Sequence, residues 1–288
     1  MSESLDLEIV RRVVRAALDE DGAFQDVTTL TTVPLGQRGR GVFMAKDTGV
    51  LAGMPLAVAA FEAVNAGIEV RPKLSEGAPL EYGSVIGEVV GPLAPILSGE
   101  RVALNMLQRL SGTASLTRRL VDVVAGLNSR IVDTRKTTPG LRALERYAVR
   151  VGGGHNHRFN LADGVLIKDN HLAAGRSRGL SIGDVIRSAR QGAPHTMRIE
   201  VEVESFEEAR DAVEAGADII LLDNMDPPEM ARCVEMIAGR ALTEASGGVT
   251  IDNVRAIAES GVDIISSGSL THSAKALDIS LEIETLRG

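Results

Sequence analysis

The sequence predicts an α/β protein in which an α+β region precedes a closed or nearly closed β/α barrel. After residue 127, short apolar segments alternate with amphipathic helical patterns, which is typical of a parallel sheet covered by helices. Residues 38–97 lack this alternation and consist of short strand-like segments between glycine and proline turns. Six or seven strand–helix units in succession favour a barrel over an isolated sheet.

Composition limits the classes of protein to which the chain can belong. Its 288 residues can bury one large core or two modest ones. With no Trp, two Tyr and five Phe, the core must consist of Val, Leu, Ile and Ala. The scarcity of aromatic residues argues against base-stacking surfaces, and the net charge of -8 argues against non-specific DNA binding. We therefore expect no nucleic-acid partner.

The N-terminal segment and the apolar segments predict a cytoplasmic protein. The chain begins MSESLDLEIVRR, which lacks the basic-then-apolar order of a signal peptide. No apolar segment approaches the length of a membrane span, so we expect no membrane partner. The single cysteine, Cys233, allows no internal disulfide, and we expect it to be a small buried residue on a helix.

The first elements follow from the spacing of apolar residues. This spacing predicts an amphipathic helix over residues 5–20. In residues 38–97, RGVFMAKD, IEVRPKL and SVIGEVVG are strand candidates, and PLAVAAFEAVN is a helix candidate. A longer helix is predicted from Ser98, with Ser98 as its N-cap and Arg101 at the third helical position.

A domain junction is predicted within this longer helical pattern. The pattern pauses near SGTAS and resumes through LTRRLVDVVAGL. We therefore place a first domain at residues 1–113 and the barrel at residues 114–273. We expect the C-terminal tail, residues 274–288, to pack back on the first domain.

The barrel region contains six short apolar segments that we interpret as strands. Helical patterns such as SFEEARDAVEAG, PPEMARCVEMIAG and IDNVRAIAESG lie between the later ones. The strand candidates are residues 130–134, 165–168, 198–203, 218–222, 241–245 and 263–266.

Polar side chains collect at the carboxyl ends of these strands, where the active sites of β/α barrels lie. Glu200 lies on the same strand face as Glu202 but earlier, and we interpret it as structural. The strand-end residues are Arg135, Lys136, Lys168, Glu202, Asp223, Ser246, Gly247, Gly248, Ser267 and Gly268.

The stretch from Asp133 to His171 adds a group of cations to this acidic chain. Arginine and lysine with histidine among glycines indicate a pocket for a small anion that carries carboxylates or phosphates. Arg142, Arg146 and Arg150 recur at a spacing of four and are interpreted as a solvated helix face. The cations of the pocket are Arg135, Lys136, His155, His157, Arg158, Lys168 and His171.

The remaining strand-end residues suggest two further roles. The glycine- and serine-rich loops after the last two strands precede helix candidates and favour a phosphomonoester site. Glu202 and Asp223 can bind Mg²⁺ or accept hydrogen bonds from ribose hydroxyls. They can also balance the charges of Lys136 and Lys168.

These segments resemble the quinolinate phosphoribosyltransferase family along nearly the whole chain. The resemblance begins with QDVTT and GVLAGMPLA and continues through SGERVALNMLQRLSGTAS. Its central and most specific block is DTRKTTPGLRALERYAVRVGGGHNHRFNLADGVLIKDNH. EVEVES, ILLDN, ASGGV and SGSLTHSAKALDISL follow, and SGSLTHS departs from the VGALTHS common in the family.

The resemblance implies an enzyme of NAD synthesis. The family forms nicotinate mononucleotide, CO₂ and pyrophosphate from quinolinate and phosphoribosyl pyrophosphate, with Mg²⁺. Its fold is an N-terminal α/β sandwich domain plus an open seven-stranded β/α barrel. Its members are homodimers or multiples of dimers, and the sandwich domain of one subunit completes the active site of the other.

The resemblance also implies roles for individual residues. Arg101 is expected to reach the site of the neighbouring subunit and bind quinolinate. Lys136, Lys168, Glu202 and Asp223 are expected to be catalytic, the last two through ribose and Mg²⁺. The other expected substrate-binding residues are Thr134, Arg135, His157, Arg158, Ser246, Gly247, Gly248, Ser267, Gly268 and His272.

Three alternatives stay open at this point. A paralogous group on the same scaffold, often encoded beside molybdate-transport genes, uses a less certain substrate. A Schiff-base aldolase would use Lys168 as its nucleophile. A non-catalytic anion-binding protein would tolerate the loss of Glu202 and Asp223. No residue stands out as the proton donor after decarboxylation.

Overall fold

The computed structural model describes residues 5–286, which divide into two compact units. The first comprises residues 5–118, 137–153 and 270–286, and the second comprises residues 119–136 and 154–269. Because both units are assembled from separate segments, the sequence boundary between residues 113 and 114 stays a prediction.

The regular elements alternate as an α/β chain. Its helices are α1 (Leu7–Asp21), α2 (Val27–Thr32), α3 (Met54–Val64), α4 (Leu93–Val123), α5 (Arg142–Val151), α6 (Asp169–Arg176), α7 (Ile182–Gly192), α8 (Phe206–Glu214), α9 (Pro227–Ile237), α10 (Val254–Glu259) and α11 (Ser269–His272). Its strands are β1 (Arg38–Ala45), β2 (Gly49–Val50), β3 (Glu69–Pro72), β4 (Pro79–Leu80), β5 (Val85–Pro92), β6 (Arg130–Val132), β7 (Val165–Ile167), β8 (Ile199–Val203), β9 (Ile219–Asp223), β10 (Leu242–Ser246), β11 (Ile264–Ser266) and β12 (Ile279–Leu286).

The first unit contains a four-stranded antiparallel sheet in the order β12-β1-β5-β3. β12, from the C-terminal tail, pairs with β1 along its full length, from Ala45 opposite Ile279 to Arg38 opposite Leu286. Val, Leu, Ile and Ala dominate the core, as composition predicts. The predicted first helix is confirmed as α1, whose N-terminus is capped by the side chain of Asp6.

α4 corrects two predictions made from the sequence. It begins at Leu93, so Ser98 is not its N-cap, and the Ser98 hydroxyl donates to Asp26 Oδ2 at 3.0 Å and to the Ala94 carbonyl at 3.2 Å. The helix also runs without a break through SGTAS. A Cβ at Gly112 would overlap the carbonyl oxygen of Lys275, so the small residue permits close packing of the chain and does not end the helix.

The second unit contains a parallel sheet in the order β6-β11-β10-β9-β8-β7, and the six strands predicted after residue 127 are confirmed. Within residues 5–286 this sheet has six strands. On the outer side of β6, the chain forms one parallel bridge between Val132 and His155.

The register of this sheet orders the polar side chains by depth. Paired residues of neighbouring strands point to the same face, and residues two apart on a strand share that face. Leu221 of β9 pairs with both Glu202 of β8 and Glu244 of β10, so both glutamates lie at one level. Asp223 pairs with Ser246 one level nearer the carboxyl ends of the strands.

Three further predictions can be compared with the structure. Arg142, Arg146 and Arg150 are half-buried, so the helix face that they form is less exposed than predicted. Cys233 is buried on α9, as predicted, and burial raises the pKa of its thiol to about 11. In the part of the chain that the structure describes, no helix has the length and apolar character needed to cross a membrane.

Candidate active site

A cavity of about 560 Å³ lies at the carboxyl ends of the parallel strands in the second unit. It brings together residues that are far apart in the sequence, from Thr134 to Ser266. The predicted site residues that line it are Thr134, Arg135, Lys136, His157, Arg158, Lys168, Glu202, Asp223, Ser246, Gly247 and Gly248.

Four predicted site residues are not among those that line this cavity. Arg101 is exposed on α4, and His272 is exposed on α11, with Nδ1 2.6 Å from the Ser273 hydroxyl. Ser267 is buried, and its backbone N–H donates to the Val132 carbonyl at 3.0 Å. Gly268 follows it at the start of the loop before α11. The substrate contacts predicted for these residues stay predictions.

Two arginines form the cationic side of the cavity. Arg158 is half-buried and donates from Nη1 to the Gly164 carbonyl at 2.9 Å, which holds its side chain in place. Burial and the nearby positive charge of Arg135 lower the pKa of Arg158. Two guanidinium groups this close repel each other, and an anion bound between them would relieve that repulsion.

Two lysines, Lys136 and Lys168, and two carboxylates, Glu202 and Asp223, also line the cavity. Lys168 Nζ forms an ion pair with Glu202 Oε2, which gives direct support to the charge-balance interpretation of Glu202. Burial, and then the negative charge of Glu202, raise the pKa of Asp223. Asn224 Nδ2 donates to Asp223 Oδ2 at 2.8 Å and fixes the orientation of that carboxylate.

The loop after β10 needs its glycines. Gly247 has φ 95°, and a Cβ there would overlap the side-chain amide of Asn224. Gly248 has φ 59°, and no heavy atom of the described chain lies within 4 Å of where its Cβ would be. Asn224 itself has φ 54°, and its N–H donates to the Ser246 carbonyl at 3.0 Å. The loop thus presents backbone to the cavity without side-chain obstruction.

Two acidic residues lie against His157; sequence reasoning missed Glu244 and interpreted Glu200 only as structural. Glu200 and Glu244 are buried, and each has a carboxylate oxygen within 3.4 Å of His157 Nε2. Burial by itself lowers the pKa of His157, but hydrogen bonds to the two glutamates outweigh it and raise the pKa to about 10. Burial and the charge of Glu244 raise the pKa of Glu200. The signal available in the sequence for these residues was a glutamate inside an otherwise apolar strand.

The imidazole of His157 is held by its neighbours. Its backbone N–H donates to Asp133 Oδ1 at 2.8 Å, and the N–H of Arg158 points at its Nδ1 at 2.8 Å. In the neutral ring, Nδ1 accepts that hydrogen bond and the ring proton lies on Nε2. In the protonated ring, Nε2 also carries a proton. Nε2 can therefore donate to the glutamates in either state.

A metal ion bound to this trio is therefore disfavoured. Ligand atoms of His157, Glu200 and Glu244 lie within 4.8 Å of one another, which is close enough for a shared ion. A protonated Nε2, however, has no lone pair to offer a metal. Glu202 and Asp223 are the better-placed carboxylates, because both line the cavity and neither contacts a protonated histidine nitrogen.

Two family models match the chain. A family model described as quinolinate phosphoribosyl transferase, C-terminal domain, matches residues 113–282. The corresponding N-terminal domain model matches residues 26–111. Together the two models account for most of the chain.

Individual relatives extend the match. The chain is 46% identical over 240 residues to a Bacillus subtilis protein named "Probable nicotinate-nucleotide pyrophosphorylase [carboxylating]", covering 83% of this chain and 82% of that protein. It is 41% identical over 292 residues to the chloroplastic nicotinate-nucleotide pyrophosphorylase [carboxylating] of Arabidopsis thaliana, covering 96% of this chain and 83% of that protein. The crystal structure of NadC from Streptococcus pyogenes is similar with a TM-score of 0.94 and 40% identity, covering 99% of this chain and 100% of that chain. The chain therefore belongs to the quinolinate phosphoribosyltransferase family.

Proposed function

We propose that this protein is a decarboxylating quinolinate phosphoribosyltransferase of NAD biosynthesis. It transfers the phosphoribosyl group of phosphoribosyl pyrophosphate to quinolinate and forms nicotinate mononucleotide, CO₂ and pyrophosphate. The observation that carries this proposal is the cavity in which two arginines, two lysines, three carboxylates and a glycine loop meet at the carboxyl ends of the strands. Family membership supports the same reaction.

The two sides of the cavity suit the two substrates. Quinolinate is a dianion, and Arg135, Arg158 and His157 supply the separate positive charges that its carboxylates need. Phosphoribosyl transfer passes through an oxocarbenium-like state as pyrophosphate leaves, and Lys136 and Lys168 supply positive charge at the strand ends. Positioning and electrostatics therefore provide most of the catalysis.

We assign Mg²⁺ binding to Glu202 and Asp223. Their fit to a cation rests on their oxygen ligands, because both carboxylates line the cavity. Mg²⁺ supplies positive charge to the leaving pyrophosphate when it is bound with that substrate. The carboxylates of the chain hold it, or accept hydrogen bonds from the ribose hydroxyls.

The proposal also includes the barrel and sandwich architecture of the family. We infer that the sheet of the second unit is an open seven-stranded barrel, supported by the Val132–His155 bridge beside β6. The antiparallel sheet of the first unit corresponds to the sandwich domain, with β12 as part of it. The cytoplasmic location stays a prediction.

One assay tests the proposed function. Pyrophosphate release from phosphoribosyl pyrophosphate should depend on quinolinate and not on nicotinate or nicotinamide. Activity with another acceptor base alone would instead assign the chain to the paralogous group. Borohydride trapping with a carbonyl substrate should yield no adduct, since Lys168 is engaged by Glu202. Ligand binding without turnover would indicate a non-catalytic anion-binding protein.

We predict that Gly248→Val weakens binding of phosphoribosyl pyrophosphate by about 1.5–3 kcal/mol, because a side chain blocks the close approach of phosphate to backbone N–H groups. Calorimetry should show quinolinate affinity retained. Gly239→Val is the matched control, since Gly239 also has a positive φ (72°), has no described heavy atom within 4 Å of its Cβ position and does not line the cavity. Normal binding by Gly248→Val would place the phosphate site elsewhere.

We propose a homodimer, or a multiple of dimers, with shared sites, in which Arg101 of the partner subunit completes each cavity. Arg101→Ala and Lys168→Ala, each inactive alone, should regain activity when their subunits exchange, because one site of a mixed dimer then receives neither defect. Mixing Lys136→Ala with Lys168→Ala is the control and should restore nothing, since every site keeps one defect. If Arg101→Ala heterodimers form without regaining activity, Arg101 acts within its own chain.

A further inference from the structure

Decarboxylation in this cavity requires a proton donor. When the carboxylate beside the ring nitrogen leaves as CO₂, its bonding electron pair stays on C2 of the pyridine ring, and C2 must take up a proton. Arginine is too weak an acid for this, and Lys168 is engaged by Glu202. Asp223 lies at the strand-end level with Ser246, on the side of the glycine loop.

Glu244 occupies the floor of the cavity. It lies two residues before Ser246 on the same face of β10, one level below the strand ends. It lines the cavity although it is 1% exposed. A substrate ring held by Arg135 and Arg158 above the floor would therefore meet Glu244 from the interior of the sheet.

The two carboxyl oxygens of Glu244 have different surroundings. Oε2 lies 3.4 Å from His157 Nε2, which carries a ring proton. Oε1 is buried, and among residues 5–286 it has no hydrogen-bond partner. A buried carboxylate oxygen without a donor is costly, whereas a carboxylic acid can place its O–H there and offer it to a ligand.

We propose that Glu244 is the catalytic acid that protonates C2 after CO₂ departs, a role that rests on the function proposed above. The C2–carboxylate bond breaks, CO₂ leaves, and the electron pair on C2 takes the proton of the Glu244 carboxyl group. Glu244 is left as a carboxylate that accepts a hydrogen bond from His157 Nε2. His157 thus acts as a positioning residue for the acid.

A second cavity provides the route by which Glu244 recovers its proton. It has a volume of about 570 Å³ and is lined by the first residues of β7, β9 and β11, so it lies at the amino ends of the strands. His157, Arg158 and Glu244 line both cavities. The exposed residues Asp163 and Thr196 on its lining connect it to solvent. We infer that Glu244 recovers its proton from the side of this second cavity.

The test compares wild type with Glu244→Gln, which keeps the shape of the side chain but has no carboxylic acid proton. CO₂ release from carboxyl-labelled quinolinate should fall by about 10²–10⁴-fold. Single-turnover formation of pyrophosphate and the affinities for both substrates should be retained. In an equal mixture of H₂O and D₂O, the deuterium content at C2 of the product should differ between wild type and Glu244→Gln. In the variant the proton comes from water, which has a different isotope preference from a carboxylic acid.

The isotope content separates a donor from a structural role. If Glu244→Gln slows CO₂ release but leaves the deuterium content of wild type, Glu244 only supports the site and the proposal is overturned. The proposal is also overturned if neither the rate of CO₂ release nor the isotope content changes. A changed isotope content supports the proposal, whatever the rate of CO₂ release. Glu235→Gln, an exposed residue on α9 with the same charge change, should behave as wild type throughout.

A second variant covers a failure of Glu244→Gln to fold. Glu244→Asp keeps the acid but withdraws it by one methylene, so CO₂ release should slow while pyrophosphate formation continues. Equal slowing of both steps, or of neither, would overturn the proposal. A wild-type protein that releases no CO₂ from quinolinate would refute the proposed function itself, and this inference with it.

Discussion

Replacing Glu145 by alanine is expected to lower the free energy of unfolding by about 3–5 kcal/mol, because it leaves a buried charge without its partner. Glu145 is fully buried on α5 and accepts hydrogen bonds from Arg109 Nη2 at 2.7 Å and from the Thr138 N–H at 2.9 Å. Arg109 also donates to the carbonyls of Thr271 and Ala274. Removing the carboxylate thus removes hydrogen bonds that connect three segments of the first unit.

Urea denaturation followed by circular dichroism would measure this loss. The matched control is Glu259→Ala, which removes an exposed ion pair with Arg255 on α10 and should cost less than about 1 kcal/mol. A comparable loss in the two variants would show that the Glu145 network contributes no more than a surface pair.

Arg135→Ala and Arg158→Ala are each expected to weaken quinolinate binding by about 2–4 kcal/mol, or roughly 30- to 1000-fold. Each substitution leaves a carboxylate of the bound quinolinate without its cationic partner. Burial and the nearby charge of Arg135 lower the pKa of Arg158, and both residues line the cavity, so we expect both guanidinium groups to contact one bound anion. Because nicotinate has a single carboxylate, the wild type should strongly prefer quinolinate.

Calorimetric titration with both acids would measure these affinities. Arg210→Ala, at an exposed position on α8, removes the same charge away from the cavity and should bind quinolinate normally. Arg158→Lys should recover only part of the lost affinity, since an ammonium group cannot form the paired hydrogen bonds of a guanidinium. Equal turnover of nicotinate and quinolinate by the wild type would contradict the substrate assignment.

Local patterns in the sequence were sufficient for much of this protein. Short apolar segments between amphipathic helices predicted all six strands of the parallel sheet. The polar residues after those strands predicted most of the cavity lining, because the carboxyl ends of parallel strands meet at one edge. Arg135, Lys168, Glu202 and Asp223 were found in this way.

Helix boundaries were less predictable where packing overrides local signals. Ser98 has the chemistry of an N-cap, yet α4 begins five residues earlier and uses its hydroxyl to bind Asp26. The small residues of SGTAS suggested a break. They serve instead to admit another segment of the chain, since Gly112 contacts the backbone at Lys275. Neither partner can be inferred from the helix sequence alone.

By itself the sequence determined the order of the elements, the parallel sheet and the cationic character of the site, because each depends on residues close together in the chain. Only the tertiary structure decided the floor of that site. His157, Glu200 and Glu244 come from three separate segments, and the strand register brings their polar atoms within 4.8 Å of one another. A buried acid gains its chemistry from neighbours and from exclusion of water, and neither is encoded in local spacing.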